Sequence, residues 1–277
     1  MGRVIMSGVV PLLTKPYVGP KASLTPTSGV TYTEGLAGLE PAEISSYAQA
    51  ISNVTGVTND TTTMYIDYGD VHRKINVGDQ VTIGVNNVDY AFDVIGFNHD
   101  DLTDSMAYGK ATATGKAGMT LQMHDLYSST YAMNSSNTNS GGWKSSAMRT
   151  STMVTMKEYL PSTWQTAIKL SNKVSGIGGG SSSGTETVSD SCFLLAEIEI
   201  FGSTTYSVSG EGTQYAYYKA NNTDSNRIKK RKGSANSWWG RSPYKNSNES
   251  FCGISAVGDG QGINATGLYG VPFAFCI

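Results

Sequence analysis

Alternation of apolar and polar positions is clearest over residues 62–98. Met64, Ile66 and Tyr68 share one parity, and Val71, Ile75, Val77, Val81, Ile83 and Val85 carry the rhythm onward. A period of two is that of strands with one buried face. Asn86-Asn87 interrupts the rhythm with residues suited to a tight turn, and 88–95 resumes it, which predicts a hairpin. Gly78-Asp79 marks another turn, 99–117 a polar loop, and 119–123 a further strand. Residues 192–201 begin apolar on both faces and read as a central strand. Tyr215 to Tyr218 read as a second, aromatic strand-like run.

Helical spacing is rarer. Ile44, Tyr47, Ala48 and Ile51 fall on one face behind Pro41, and Gly56 would end that helix. Trp143 opens a helix near 145–158 with Met153, Met156 and Leu160 on one side. Pro161 to Trp164 start another, with Trp164 and Ile168 one turn apart. Residues 1–38 show neither period. Pro11, Pro16, Pro20 and Pro26, with Gly19, Gly29, Gly35 and Gly38, predict an extended arm over a neighbouring surface. The apolar stretch 4–13 is broken by Ser7, Gly8 and Pro11, so it is read with the arm and not as a leader. The predicted organisation is α+β: an attachment arm with a short helix over 1–60, then one larger domain over 61–277.

Composition narrows the partners. Charged residues make up 15%, the formal net charge is −2, and no apolar stretch is long enough to span a bilayer. Neither nucleic-acid binding nor membrane insertion is expected. The basic run from Arg227 to Lys232 reads as a solvated hairpin tip. Gly 32 and Tyr 16 fit a sheet-rich fold with polar turns. Gly178–Gly184 reads as a flexible loop and Gly258–Gly262 as a long turn between the last two strands. Cys192, Cys252 and Cys276 form no C-x-x-C pair and read as reduced core thiols, a pattern that suits a reducing cytoplasm.

Reactive constellations are few. His99, Asp101 and His124, with Asp100, Asp104 and Asp125 nearby, follow strand-like runs and form a candidate metal set; the plainer reading is that they close loops. Glu197 and Glu199 share a strand face, too close to act as paired glycosidase carboxylates. No G-x-S-x-G elbow or phosphate cradle occurs. The expectation is no catalysis, no catalytic residue and no cofactor.

The most distinctive segment is Trp238-Trp239-Gly240-Arg241-Ser242-Pro243. In a strand the two indoles point to opposite faces, so one anchors a core while the other is free to line a groove. Contact candidates here and beyond are Trp239, Arg241, Tyr244, Lys245, Asn246, Asn248, Asn264 and Tyr269, side chains of the kind that recognition loops use. The alternative is that Trp238, Trp239 and Arg241 form an internal brace.

Several motifs occur in order: Gly141-Gly142-Trp143 through Arg149, Leu160-Pro161 with Trp164 and Ile168, Phe193 through Glu199, Trp238 through Pro243, and Gly270-Val271-Pro272-Phe273. Over residues 75–277 this set resembles an uncharacterised domain of tail-region and surface proteins of phages and prophages. The closing elements also resemble the C-type-lectin-like fold shared with formylglycine-generating enzymes. That resemblance implies a lectin-like α+β domain with two helices beside twisted antiparallel sheets, and late loops as its binding face. The lectin calcium motif and the enzymes' close cysteine pair are absent. The resemblance thus implies a phage virion structural protein, assembled in the bacterial cytoplasm and probing a host-surface glycan or protein in several copies. Residues 1–60 would dock on other virion proteins. The alternatives are a capsid-decorating or tail-building cement subunit and, last, a metal-dependent enzyme.

Overall fold

The computed structural model describes residues 19–277. The chain enters through two short strands, β1 (Lys21–Ser23) and β2 (Thr33–Glu34), and helix α1 (Pro41–Ile51). The Glu43 carboxylate accepts the Glu40 N–H at 3.0 Å, capping α1, and Pro41 sits in the first turn, where its missing donor costs nothing. The predicted face of Ile44, Tyr47, Ala48 and Ile51 is buried. Strands β3 (Thr63–Tyr68) and β4 (Val71–Asn76) then form a hairpin, with β1 and β2 at its edges in the order β1-β3-β4-β2. The strands and helix before residue 60 therefore do not stand apart as an arm. The two strands are hydrogen-bonded into this sheet, and α1 contributes to the main core. An apolar stripe of that width needs a partner surface, and the fold supplies one. The part of the expected arm over residues 1–18 lies outside the described residues.

Strands β5 (Gln80–Val85) and β6 (Val88–Phe97) form the predicted hairpin, closed by Asn86 and Asn87 at φ 50° and 62°. Both central residues of a type I′ two-residue turn need positive φ, which Asn tolerates. Strand β7 (Met119–Met123) pairs antiparallel with β6. The helix expected near 145–158 is divided into α2 (Gly142–Ser145), a π-turn (Met148–Thr152) and α3 (Met153–Glu158), because Ser146 is extended at ψ 144°. Helix α4 (Ser162–Ala167) lies where Trp164 and Ile168 predict it. Strands β8 (Ser171–Gly176) and β9 (Thr185–Asp190) flank the glycine-rich loop.

Two expected strands are corrected. Strand β10 covers only Cys192–Phe193, and α5 (Glu197–Phe201) occupies the second half of the run. The Glu199 carboxylate accepts the Ala196 N–H at 2.9 Å and starts the helix, and Gly202 at φ 71° stops it. The carbonyls of Leu194 and Leu195, which a strand would spend on a ladder, accept hydrogen bonds from Arg241 instead. Residues 216–220 are helix α6 (Ala216–Ala220), where Tyr215 and Tyr218, three apart, both turn inward.

Helix α7 (Asp224–Arg227) precedes the hairpin β11 (Lys229–Arg231) and β12 (Ser234–Asn236). A three-stranded sheet follows: β13 (Trp238–Pro243), β14 (Ser250–Ile254) and β15 (Gly260–Asn264). The long turn expected over 258–262 thus ends at Gly260, where β15 begins. Finally β16 (Ala274–Cys276) completes the central sheet, β10-β16-β7-β6-β5. Phe92 meets Phe273 and Phe275 there, with ring centroids 5.5 Å apart. All three cysteines are buried and free, as expected. The fold is mixed α+β, mostly sheet with several short helices.

Candidate functional site

Strand β13 answers the question posed by the two indoles. Trp238 and Trp239 are both 0% exposed, because sheet β13-β14-β15 is covered on each face along this stretch. Their N–H groups donate to the carbonyls of Arg227 (3.0 Å) and Tyr131 (2.8 Å). Arg241 is 1% exposed. Its fork donates to Glu199 Oε2 at 2.5 Å and Oε1 at 2.7 Å, and its other donors reach the carbonyls of Leu194, Val174 and Glu211. Burial alone would lower its pKa, but the Glu199 carboxylate outweighs burial and raises it. Trp239 and Arg241 are therefore corrected from ligand contacts to an internal brace: a fully donated guanidinium inside the fold has nothing left to offer a ligand.

The brace builds a surface above it. Glu197, beside Glu199 on α5, is buried, and its two carboxylate oxygens accept the Tyr206 N–H at 3.0 Å each. One of them also accepts the Ser207 N–H at 2.7 Å. From the far end of β13, the Lys245 N–H donates to the Tyr206 carbonyl at 2.8 Å and its ammonium to the Thr204 carbonyl at 2.9 Å. The loop bearing Tyr206 is thus clamped from both sides.

Strand β15 provides the floor. Gly260, Gly262 and Asn264 alternate onto one face, while Ile263 is buried on the other. A β-carbon at Gly260 would stand 3.2 Å from Tyr206 and 3.4 Å from Phe201, and one at Gly262 would stand 2.9 Å from Tyr244. The glycines thus let the three rings lie against the strand. Tyr206 and Tyr244 meet edge to face at 5.5 Å. Beside them a depression of roughly 430 Å³ is lined by Phe201, Tyr206, Ser203, Thr205, Asp259 and Gly260, with Glu197 beneath. Half-buried rings next to exposed hydroxyls and a carboxylate suit a ligand with apolar C–H faces and many hydroxyls.

Of the predicted contacts, Tyr244 lies in this row, Lys245 positions it, and Asn264 follows on the same strand face. Asn246 and Asn248 are exposed in the turn after β13. Tyr269 packs edge-on against Trp239 at 5.2 Å and is only half-buried. Phe201, Tyr206 and Asp259 were missed. The alternation of glycines in Gly260-Gln261-Gly262 is the signal that could have pointed to rings lying above them.

The metal candidates do not assemble. His99 follows β6 and His124 follows β7, and adjacent antiparallel strands end at opposite edges of a sheet. His99 stacks on Tyr215 at 3.7 Å and contacts Asp100 and the Thr213 carbonyl, Asp101 pairs with Lys116, and His124 pairs with Asp93. Among the described residues no group of three His, Cys, Asp or Glu side chains could hold a metal ion.

A family model described as "Domain of unknown function (DUF6273)" matches residues 117–277, more than half of the chain and the part that contains brace and groove. No curated protein and no solved structure matches the chain.

Proposed function

From the premise that the chain belongs to the DUF6273 family, we propose that it is a non-catalytic recognition protein. It binds a glycan in the depression lined by Phe201 and Tyr206, with Tyr244 packed edge-on against Tyr206. The observation that carries this reading is the aromatic row resting on Gly260 and Gly262 beside hydroxyls and a carboxylate. Sugar rings present C–H faces to aromatic side chains and hydroxyls to polar rims. Ser203, Thr205 and Asp259 supply such a rim. Clamping by Glu197 and Lys245 holds the groove in its bound shape before a ligand arrives, which lowers the entropic cost of binding.

The biological setting in this reading is the surface of a phage virion, with the domain as a C-type-lectin-like module facing the host. Its support is the ordered set of motifs from Gly141 to Phe273. Several copies on one particle would multiply a weak single-site affinity.

The test is a glycan array on the full chain, followed by titration of any hit. Tyr206→Ala is expected to reduce affinity by about tenfold or more, since a lost aromatic anchor costs about 2 kcal/mol. Asn248→Ala, in a neighbouring turn, serves as the control. Absence of any glycan ligand, or affinity indifferent to both Tyr206→Ala and Phe201→Ala, would overturn the reading. Particles that fall apart without the protein while it binds no glycan would favour the cement role.

A further inference from the structure

The basic run from Arg227 to Lys232 is not uniformly solvated. Lys229, the first residue of β11, is 4% exposed. Its ammonium donates to the carbonyls of Met123 at 2.6 Å and His124 at 2.8 Å, and it stands 5.9 Å from the Trp238 ring. An ammonium has three N–H donors, so these two bonds leave one unspent.

Other buried cations of the fold have carboxylate partners: Lys173 has Asp100, Arg241 has Glu199 and Arg227 has Asp224. Among the described residues Lys229 has none. A buried charge without a counter-ion is unfavourable. Burial pulls the Lys229 pKa down to about 8 against the opposing pull of Asp93 and Asp125. Those two carboxylates are already engaged. Asp93 accepts from Gln80 at 2.8 Å and pairs with His124 Nδ1 at 2.9 Å, and Asp125 accepts the Lys230 N–H at 2.7 Å.

Lys229 lines a cavity of roughly 320 Å³ with His124, Lys230, Tyr217, Ser225 and Asn226. Asp93 holds His124 through Nδ1, which leaves Nε2 as its other hydrogen-bonding atom. Lys230 and Asn226 stand in the same lining, with one Asn226 amide N–H already given to the Tyr217 carbonyl at 3.4 Å. The cavity is thus lined by Lys229, a second lysine and an oriented imidazole, with a single carboxylate, Asp125.

We propose that this cavity is a binding site for an oxyanion, a carboxylate or phosphate group, that supplies the counter-ion Lys229 lacks and is held by Lys229, His124 and Lys230. The site is independent of the aromatic groove. It stands or falls whatever that groove binds.

The test is NMR of the full chain, following the Lys229 ammonium and the His124 ring during titration with inorganic phosphate, glucuronate or glucose. Phosphate or glucuronate at millimolar concentration is expected to shift both signals, and glucose is expected to shift neither. Response to phosphate alone identifies a phosphoryl group as the natural ligand, and response to glucuronate alone an acidic sugar. Lys229→Met is expected to weaken binding about tenfold or more, the worth of one charge-assisted hydrogen bond. Because Lys229→Met also strips two carbonyls of their donor, Lys230→Ala and His124→Asn at the cavity rim repeat the comparison, each with a weakening of about threefold or more. Absence of a shift with both anions, or binding unchanged in both rim variants, overturns the proposal.

Discussion

Arg241 and Glu199 face each other fork to fork inside the fold, with N···O distances of 2.5 and 2.7 Å. One residue comes from β13 and the other from α5, so the pair ties the last sheet to the helix that carries Glu197 and Phe201. Removing one partner strands the other as a buried charge. Arg241→Ala is expected to lower unfolding free energy by about 3–5 kcal/mol, measured by urea denaturation. Arg241→Lys loses most of the same stability, since a point-like ammonium cannot make two parallel bonds to the carboxylate.

Lys173 and Asp100 form a second buried pair, and Tyr215 donates to both Asp100 oxygens at 2.9 Å. Burial would raise the Asp100 pKa, but the Lys173 ammonium and His99 outweigh it and hold the carboxyl well below its ordinary 3.8. A depressed carboxyl pKa contributes stability that is complete above the unfolded value and lost as pH falls through the folded one. Wild-type protein should therefore lose stability steeply below pH 3.8, the ordinary value of this carboxyl. Asp100→Asn should be less stable at neutral pH by about 3–5 kcal/mol and show a flatter acid limb in pH-dependent urea melts.

Much of the N-terminal half was legible because one rule governs it. In β3 and β5 burial alternates along the strand, with Met64 and Ile66 and then Val81, Ile83 and Val85 turned inward, and the sequence records that directly; the second half of β6 and all of β7 are buried on both faces. Where the chain is buried on all sides the rule fails. Cys192 to Phe201 is apolar at most positions, so periodicity could not separate strand from helix, and the capping contact from Glu199 to Ala196 decided it. Tyr215 and Tyr218 misled for a related reason. Aromatic residues favour strands, yet here both hydroxyls have buried partners, Asp100 and Gln122, and the Tyr218 and Lys219 N–H groups bond back to the Tyr215 carbonyl as in a helical turn. The candidate site was half legible. Tyr244 and Asn264 were visible as recognition chemistry, but Tyr206 is brought to them by a tertiary clamp from Glu197 and Lys245 that no local spacing encodes. Trp239 and Arg241 carried surface chemistry into the interior, because the flanking sequence did not reveal that both faces of β13 are covered.

His124 and Asp93 give the fold a pH response near neutrality. The hydrogen bond that His124 donates to the Asp93 carboxylate, above all, raises the His124 pKa from its ordinary 6.5, against burial and Lys229. A raised histidine pKa contributes stability that is complete below the unfolded value and declines as pH rises through the folded one. Thermal melts should show a modest loss of stability from pH 6.5 upward, the ordinary histidine value. His124→Asn should remove that slope while leaving the protein folded, since the ring is half exposed. A slope unchanged in His124→Asn would assign the response to another group.

Gly262 and Tyr244 offer the most direct test of how the groove is made. A β-carbon at position 262 would stand 2.9 Å from Tyr244 Cδ1 and 3.1 Å from Cε1, so Gly262→Ala forces the ring off the strand. Gly262 lies in β15 outside the left-handed region, so the backbone accepts alanine and the cost falls on the ring contact alone. A loss of about 1 kcal/mol is expected in urea denaturation, typical of mild overpacking. On the proposed function, glycan affinity should fall with it, because the displaced ring disturbs its edge contact with Tyr206. In a Tyr244→Ala background the same substitution should cost little or nothing, giving a coupling close to the whole effect. Additive losses in that double-mutant cycle would mean that Gly262 serves the strand and not the ring.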